Sequence, residues 1–313
     1  MRRCLAQILL ALLGLQGFAM APAIGQTAST DVLSALRESV VAVRSRAVED
    51  ARSNETLGRE RLGSGVVIDG QGHILTIGYL VIESEEVDVM VSSGVTYPAR
   101  VIGYDHATGF AVLRPLLPLK LKPLAIGSSG KLIDQELMIV LPFEGLGPGS
   151  ATQLVSRRPF AGSWEYLLES ALYTFPPNAA WAGAALLNER GELVGLGSLY
   201  IRDAMAQGTF SPGNLFVPID LLKPIQRDLL TKGVRASGIH PWMGITPDDS
   251  SGYVAILRVS KDGPADQAGL RAGDFITGVA GKEVRTLADL YRSAWESSSG
   301  NRMEADRKRS ANL

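Results

Sequence analysis

From Leu62 onward the chain is cut into short apolar runs, each closed by a turn, and that rhythm more than anything else restricts what it can fold into. Gly65-Val66-Val67-Ile68 is followed by Asp69-Gly70-Gln71-Gly72 and then by His73-Ile74-Leu75-Thr76. This reads as a strand, a glycine-rich hairpin turn and a second strand. The pattern returns at 87–91, 97–103, 110–113, 136–141, 184–187 and 192–196. Runs this short fall below the length of a stable helix, and many of them in succession mean an all-β barrel or sandwich. Two stretches break the rhythm and read as helices, 31–41 near the start and 219–232 behind Pro218, while 48–59 reads as a polar loop.

The beginning of the chain obeys a different rule. Arg2 and Arg3 precede an apolar run from residue 5 to 21, and the small residues Ala21-Pro22-Ala23 follow, which is the layout of a secretory signal peptide over 1–28. The run is also almost long enough to cross a bilayer. Its small-residue end points to cleavage rather than to an anchor, so a periplasmic or secreted protein with no stable membrane span is expected. Cys4 is the only cysteine, so cleavage would leave neither a disulfide nor a thiol. A net charge of -1, with no long basic or acidic block in the body of the chain, argues against a nucleic-acid surface. The remaining ~285 residues can bury two cores. The expected division is a first domain over 29–234 and a second module over 235–296, with 233–238 as linker.

Several motifs, in order, carry a resemblance. They are Gly63-Ser64-Gly65-Val66-Val67-Ile68, the turn 69–73, Leu75-Thr76, Val101-Ile102-Gly103-Tyr104-Asp105, Ala111-Val112-Leu113, Gly183-Ala184-Ala185-Leu186-Leu187-Asn188 and Gly191-Glu192-Leu193-Val194-Gly195. Together they resemble the HtrA/DegP family of trypsin-like serine proteases, over about residues 35–290. The resemblance implies a mainly β protein: a double six-stranded β-barrel followed by a PDZ domain. In active members a His follows the second strand as general base, an Asp orients it, and a Ser in a Gly-Asn-Ser-Gly-Gly turn attacks the carbonyl. The matching positions here are Tyr79, Gly109 and Ala182. A phenol with an ordinary pKa of about 10 is a poor base at neutral pH, Gly109 has no carboxylate, and Ala182 has no oxygen. Trp181 sets a large ring beside the former nucleophile, and Leu172-Tyr173-Thr174 stands where the family has Gln-Thr-Asp. No catalytic residue is therefore expected.

Replacement residues are scarce. His73 follows a hairpin turn at a position that tolerates most polar residues, His106 lies in the loop before Gly109, and His240 sits at the domain junction. Ser64 and Ser198 belong to strands and have no evident base. No His, Cys and carboxylate cluster has metal-ligand spacing, so neither metal nor cofactor is expected.

The second module carries Pro241-Trp242-Met243-Gly244-Ile245, Gly263-Pro264-Ala265-Asp266-Gln267-Ala268-Gly269-Leu270 and Ala272-Gly273-Asp274-Phe275-Ile276. These resemble an HtrA-type PDZ domain, which implies that Trp242, Met243, Gly244 and Ile245 form a loop that binds a peptide's terminal carboxylate. The strand that follows would take up the peptide by β-augmentation, and a helix over 287–295 would form the other wall of the groove. The alternative is that Trp242 and Met243 only plug a contact between domains. The polar, charged segment 297–313 is expected to be disordered, leaving the module incomplete. Two functions follow: a periplasmic pseudoprotease that binds unfolded proteins or C-terminal peptides, or other HtrA-like chains, or forms a homo-oligomer; or a working serine endopeptidase with a rearranged site.

Overall fold

The computed structural model describes residues 32–297 and 305–309. The expected signal peptide, 1–28, lies outside the described residues. Six strands form the first barrel: β1 (Val40–Ala47), β2 (Glu60–Val67), β3 (Ile74–Ile77), β4 (Ser84–Met90), β5 (Thr96–Asp105) and β6 (Phe110–Pro115). It closes in the order β1-β2-β3-β6-β5-β4. Six more form the second: β7 (Leu137–Leu141), β8 (Ser150–Gly162), β9 (Tyr166–Phe175), β10 (Ala185–Leu187), β11 (Leu193–Ile201) and β12 (Gly213–Pro218). Its closing order, β10-β11-β12-β9-β8-β7, is the first barrel's order displaced by six strands. The apolar runs fill the interiors: Val66, Val67, Ile74, Leu75, Val112 and Leu113 in the first barrel, and Met138, Leu154, Leu172, Leu186 and Phe216 in the second, are all fully buried. Each such side chain contributes ~1.5–3 kcal/mol of transfer free energy.

Where local reading and structure differ, pairing partners explain the outcome. The helix expected over 31–41 covers 32–37, and from Val40 the chain is strand β1. Val40, Val41 and Val43 are β-branched, and β1 pairs with β2 on one side and β4 on the other, so barrel closure decides their state. The helix expected over 219–232 is split into a 3-10 turn, Ile219–Leu221, and a helix, Gln226–Lys232. Pro224 lies between them, and proline cannot donate a helical hydrogen bond. The polar loop 48–59 contains a one-turn helix, Asn54–Leu57.

The chain falls into two compact units. One takes the described residues up to Arg158 together with Ala171–Arg235; the other takes Pro159–Ser170 and the described residues from Ala236. The tip of the β8–β9 hairpin joining the second unit was not foreseen. That unit is a five-stranded sheet of β13 (Ile245–Asp248), β14 (Val254–Val259), β15 (Asp274–Val279), β16 (Lys282–Glu283) and β17 (Ala305–Arg309). The helix Leu287–Ser297 buries Leu287, Leu290, Tyr291 and Ala294 in the same core as Met243, Ile245, Val254, Ile256 and Ile276. These four positions recur at helical spacing. Reciprocal bonds start the helix: Thr286 N–H donates to Asp289 Oδ2 and Asp289 N–H to Thr286 Oγ1, each at 3.1 Å.

The expectation of a disordered tail over 297–313 is corrected within the described residues. Ser297 ends the helix, and Ala305–Arg309 pairs antiparallel with β15 from Asp274↔Arg309 to Val279↔Ala305. Backbone groups make a ladder whatever the side chains are, so a charged segment can close a sheet that hydrophobic patterning would not assign to it. A chain ending at Ser297 is expected to lose hydrogen-exchange protection along Asp274–Val279. Unchanged protection would mean that β17 adds nothing to the sheet.

Candidate functional site

The first barrel's Ser64 ties the site together. Fully buried in β2, it donates its N–H to Ala182 O at 2.8 Å. Its Oγ accepts the Phe143 N–H at 2.9 Å, and its carbonyl accepts the Thr76 hydroxyl at 2.8 Å. Its hydroxyl oxygen thus helps to fix the backbone at Phe143. Gly78 N–H donates to Gly109 O at 2.7 Å, which places the turn carrying Tyr79 beside Gly109. The Trp181 side chain hydrogen-bonds the Tyr79 phenol, and Tyr79 Oη donates to Ser198 O at 2.8 Å. Tyr79, Gly109 and Ala182 are thus gathered around one turn, 178–184, where the two barrels meet.

That turn is closely held. Gly183 N–H donates to Gly197 O at 2.9 Å, Gly197 N–H to Ala184 O at 2.8 Å, and Ala184 N–H to Trp181 O at 3.0 Å. Gly183 has φ +69, and a Cβ on it would lie 1.9 Å from Ser64 O; one on Gly197 would lie 1.8 Å from Trp181 O. Asn178, buried and absent from the sequence reading, organises the start of the turn. Its N–H donates to Asn214 Oδ1 at 2.7 Å, and its Nδ2 donates to Pro148 O at 3.0 Å and Ser150 Oγ at 2.8 Å. Its Oδ1 accepts the Ala180 N–H at 2.8 Å. The Asn178 to Ala180 spacing fits a local side chain to backbone bond, which the sequence could have signalled.

The electrostatics oppose proton transfer. Burial pushes the Tyr79 phenol well above its ordinary value, and the hydrogen bond from Trp181 offsets only part of this. Burial likewise holds Tyr104 up, to about 12. The buried carboxylate of Asp105, four residues before Gly109, is committed elsewhere. Its Oδ2 accepts the Thr108 N–H at 3.0 Å and the Thr108 hydroxyl at 2.5 Å, and Arg235 clamps it from Nε to Oδ1 at 2.5 Å and from the second guanidinium nitrogen to Oδ2 at 2.7 Å. Trp181 and Tyr200 have ring centroids 5.7 Å apart. Arg158 lies 3.6 Å over the ring of Tyr173.

The histidines fall apart from this cluster. His73 is buried rather than free to vary as a surface residue would be: Nδ1 is 2.6 Å from Asp69 Oδ2, and Nε2 accepts from Arg114 Nε at 3.2 Å. With both ring nitrogens engaged, it has none to offer as a base. His106 contacts Tyr104 with centroids 4.4 Å apart, and in the second unit His240 stacks on Trp295 at 4.0 Å. Among the described residues no group of His, Cys, Asp and Glu could hold a metal ion, and no helix is long and apolar enough to cross a membrane.

In the second unit Met243 and Ile245 are buried, Gly244 has φ +81, and Trp242 is 52% exposed. The N–H groups of Met243, Gly244 and Ile245 point to one place, and a carboxylate is already there. Met243 N–H donates to Glu165 Oε2 at 2.7 Å, and Gly244 and Ile245 N–H donate to Glu165 Oε1 at 2.7 and 3.1 Å. Burial raises the Glu165 carboxyl above its ordinary value, and these three donors work against that rise. Nothing local in the sequence marks Glu165. β13, which continues from this loop, is the end strand of the sheet order.

The family profile described as trypsin-like peptidase domain matches residues 63–196, from β2 into β11. The PDZ domain profile matches 256–294, which begins inside β14 and leaves the loop at 242–245 outside it. The periplasmic pH-dependent serine endoprotease DegQ of Escherichia coli is 29% identical over 248 residues, covering 74% of this chain and 53% of that protein. Protease Do-like 1, chloroplastic, of Arabidopsis thaliana is 30% identical over 256 residues, 74% of this chain and 56% of that protein. The serine endoprotease DegS of Haemophilus influenzae is 28% identical over 268 residues, 81% of this chain and 75% of that protein. The chain thus spans little more than half the length of the first two relatives. Among solved structures, the HtrA-type protease AlgW with tripeptide shares the fold at a TM-score of 0.54 and 18% identity, over 90% of this chain and 95% of that one. With the peptidase profile lying across both barrels, the PDZ profile in the module behind them and these relatives aligned along most of its length, the chain belongs to the HtrA/DegP-type family of trypsin-like proteases.

Proposed function

We propose that this chain is a non-hydrolysing HtrA-like protein of the periplasm that binds unfolded proteins or C-terminal peptides and serves as a scaffold or regulator in protein quality control. The observation that carries the reading is the state of the turn 178–184. The family's attacking residue falls on Ala182, whose methyl group cannot attack a carbonyl. An oxyanion hole in this fold is built from the N–H of the attacking residue and the N–H two positions before it. The second of these is Ala180 N–H, already donated to Asn178 Oδ1 at 2.8 Å. The base position holds a Tyr79 phenol that burial keeps protonated and that is itself bound to Ser198 O. The orienting position, Gly109, has no side chain. The Trp181 and Tyr200 rings lie side by side next to Ala182, along the strand that would line the specificity pocket.

Two observations support the binding half, and two more support the location. The three N–H groups at Met243, Gly244 and Ile245 converge as they would on a terminal carboxylate, and β13 is an end strand able to take an added one. Several relatives carry a periplasmic name, and the basic, apolar start of the chain suits export. An activity-directed fluorophosphonate and an unfolded casein substrate, run beside an intact HtrA protease, test the reading. No labelling and no cleavage are expected. Labelling of any serine in proportion to protein, with turnover that Tyr79→Phe abolishes, would sink it and restore the endopeptidase alternative.

A further inference from the structure

We propose that the carboxylate-binding loop Trp242–Ile245 carries its own internal ligand: Glu165, at the tip of the β8–β9 hairpin, stands in the place of a peptide's terminal carboxylate and closes the loop to an external one. The inference rests on the peptide-binding reading above and adds the regulation of that site.

The three bonds define a carboxylate site by their chemistry. Both oxygens of one carboxyl group are used, by three consecutive backbone N–H groups in a loop that turns at Gly244 with φ +81. Successive amides converging on a point form an anion-binding concavity, and N–H bonds to an ionised oxygen are about twice as strong as neutral ones. The residue that fills it comes from 78 to 80 positions away in sequence. It is therefore brought by folding and is not a local cap of the loop.

The hairpin tip is held where this requires. Tyr291 Oη donates to Gly162 O at 2.6 Å, and Arg292 grips Glu169 at 2.9 and 2.6 Å through two guanidinium nitrogens. Ala161 and Leu167 pack against the core that contains Met243, Ile245, Leu290 and Tyr291. Glu165 itself has φ +60, a left-handed conformation that a non-glycine residue keeps only when its surroundings hold it there. Both Tyr291 and Arg292 lie on the helix Leu287–Ser297, which the family resemblance makes one wall of the peptide groove. The same wall thus secures the residue that blocks the loop.

An internal ligand lowers apparent affinity by the fraction of molecules in which the loop is vacated. A peptide therefore binds only when it outcompetes Glu165 or when something else draws the hairpin off. Two measurements on the full mature chain separate this proposal from the reading it rests on. The first is hydrogen exchange at the Met243, Gly244 and Ile245 amides in wild type, Glu165→Ala and Glu165→Gln, with thermal unfolding to confirm that each variant is folded. The second is capture of a random decapeptide pool with free carboxyl termini, beside the same pool amidated at the C-terminus.

In Glu165→Ala these amides are expected to exchange about tenfold faster or more, and capture of the free-carboxylate pool to rise by about tenfold while the amidated pool stays unbound. Glu165→Gln, which keeps the size but not the charge, should fall between. Unchanged exchange in both variants would overturn the internal ligand, as would equal capture by wild type and Glu165→Ala. Faster exchange with no capture of either pool would overturn the peptide-binding reading and the gating with it, while leaving the contact itself established.

Discussion

The Ala182→Ser variant is expected to hydrolyse unfolded casein no faster than wild type and to take up no fluorophosphonate at position 182. A serine restored there meets no base: the group beside it is the Tyr79 phenol, held protonated by burial and donating its hydroxyl to Ser198 O. Triad members act as a unit, and loss of one costs up to about a millionfold in turnover, so one returned member recovers little. On the proposed reading the oxyanion side lacks a donor as well, because Ala180 N–H is bound to Asn178 Oδ1, and a missing donor of this kind costs on the order of a hundred to a thousandfold. Even Tyr79→His, Gly109→Asp and Ala182→Ser together should fall far short of a working relative. Gly109 has φ +75, which a side chain adopts only at a cost of about 1–2 kcal/mol, and Tyr79→His gives up the bond to Ser198. Substantial turnover by Ala182→Ser alone would reveal a base that these contacts do not contain.

The strands that were legible in the sequence are those whose partners demand alternating or fully apolar runs between glycine turns. Val66-Val67, Ile74-Leu75 and Leu186-Leu187 are examples, each buried in a barrel. The hairpin β8–β9 was not legible. It mixes Arg157, Arg158, Glu165 and Glu169 with aromatics, and its pattern answers to two different units, one up to Arg158 and again from Ala171, the other at 159–170. No single-face periodicity can report both. β17 was missed for a related reason: Ala305-Asp306-Arg307-Lys308-Arg309 pairs through its backbone, and backbone pairing leaves no mark on side-chain patterning. At the site, the positions matched by motif were readable, while the residues that hold them through long-range contacts were not. Tyr79, Gly109 and Ala182 stand in recognisable motifs, whereas Asn178 bonds Pro148, Ser150 and Asn214 besides its local partner Ala180, and Glu165 acts across a separation that only the folded chain closes.

Gly183→Ala is expected to destabilise the two-barrel unit by ~4 kcal/mol or more, because backbone strain and steric overlap add at this position. The glycine has φ +69, and the added methyl would lie 1.9 Å from Ser64 O and 2.9 Å from Ser64 C, which are backbone atoms of a strand with no room to give. Ser64 cannot retreat, since its N–H, its carbonyl and its hydroxyl are bound to Ala182, Thr76 and Phe143. Gly208→Ala is the matched control: its φ is +68, almost the same, but nothing lies within 4 Å of the new Cβ. It should cost only the conformational part, about 1 kcal/mol. For a unit of this size each kcal/mol moves the midpoint by about 2–4 °C, so thermal unfolding should separate the two variants by several degrees or leave Gly183→Ala unfolded. Equal midpoints would sink the account. The expected difference also gives this glycine a structural role: the turn joins β2 of one barrel to β11 of the other through Ala182, Gly183 and Gly197, and that joint is needed whether or not any bond is cut there.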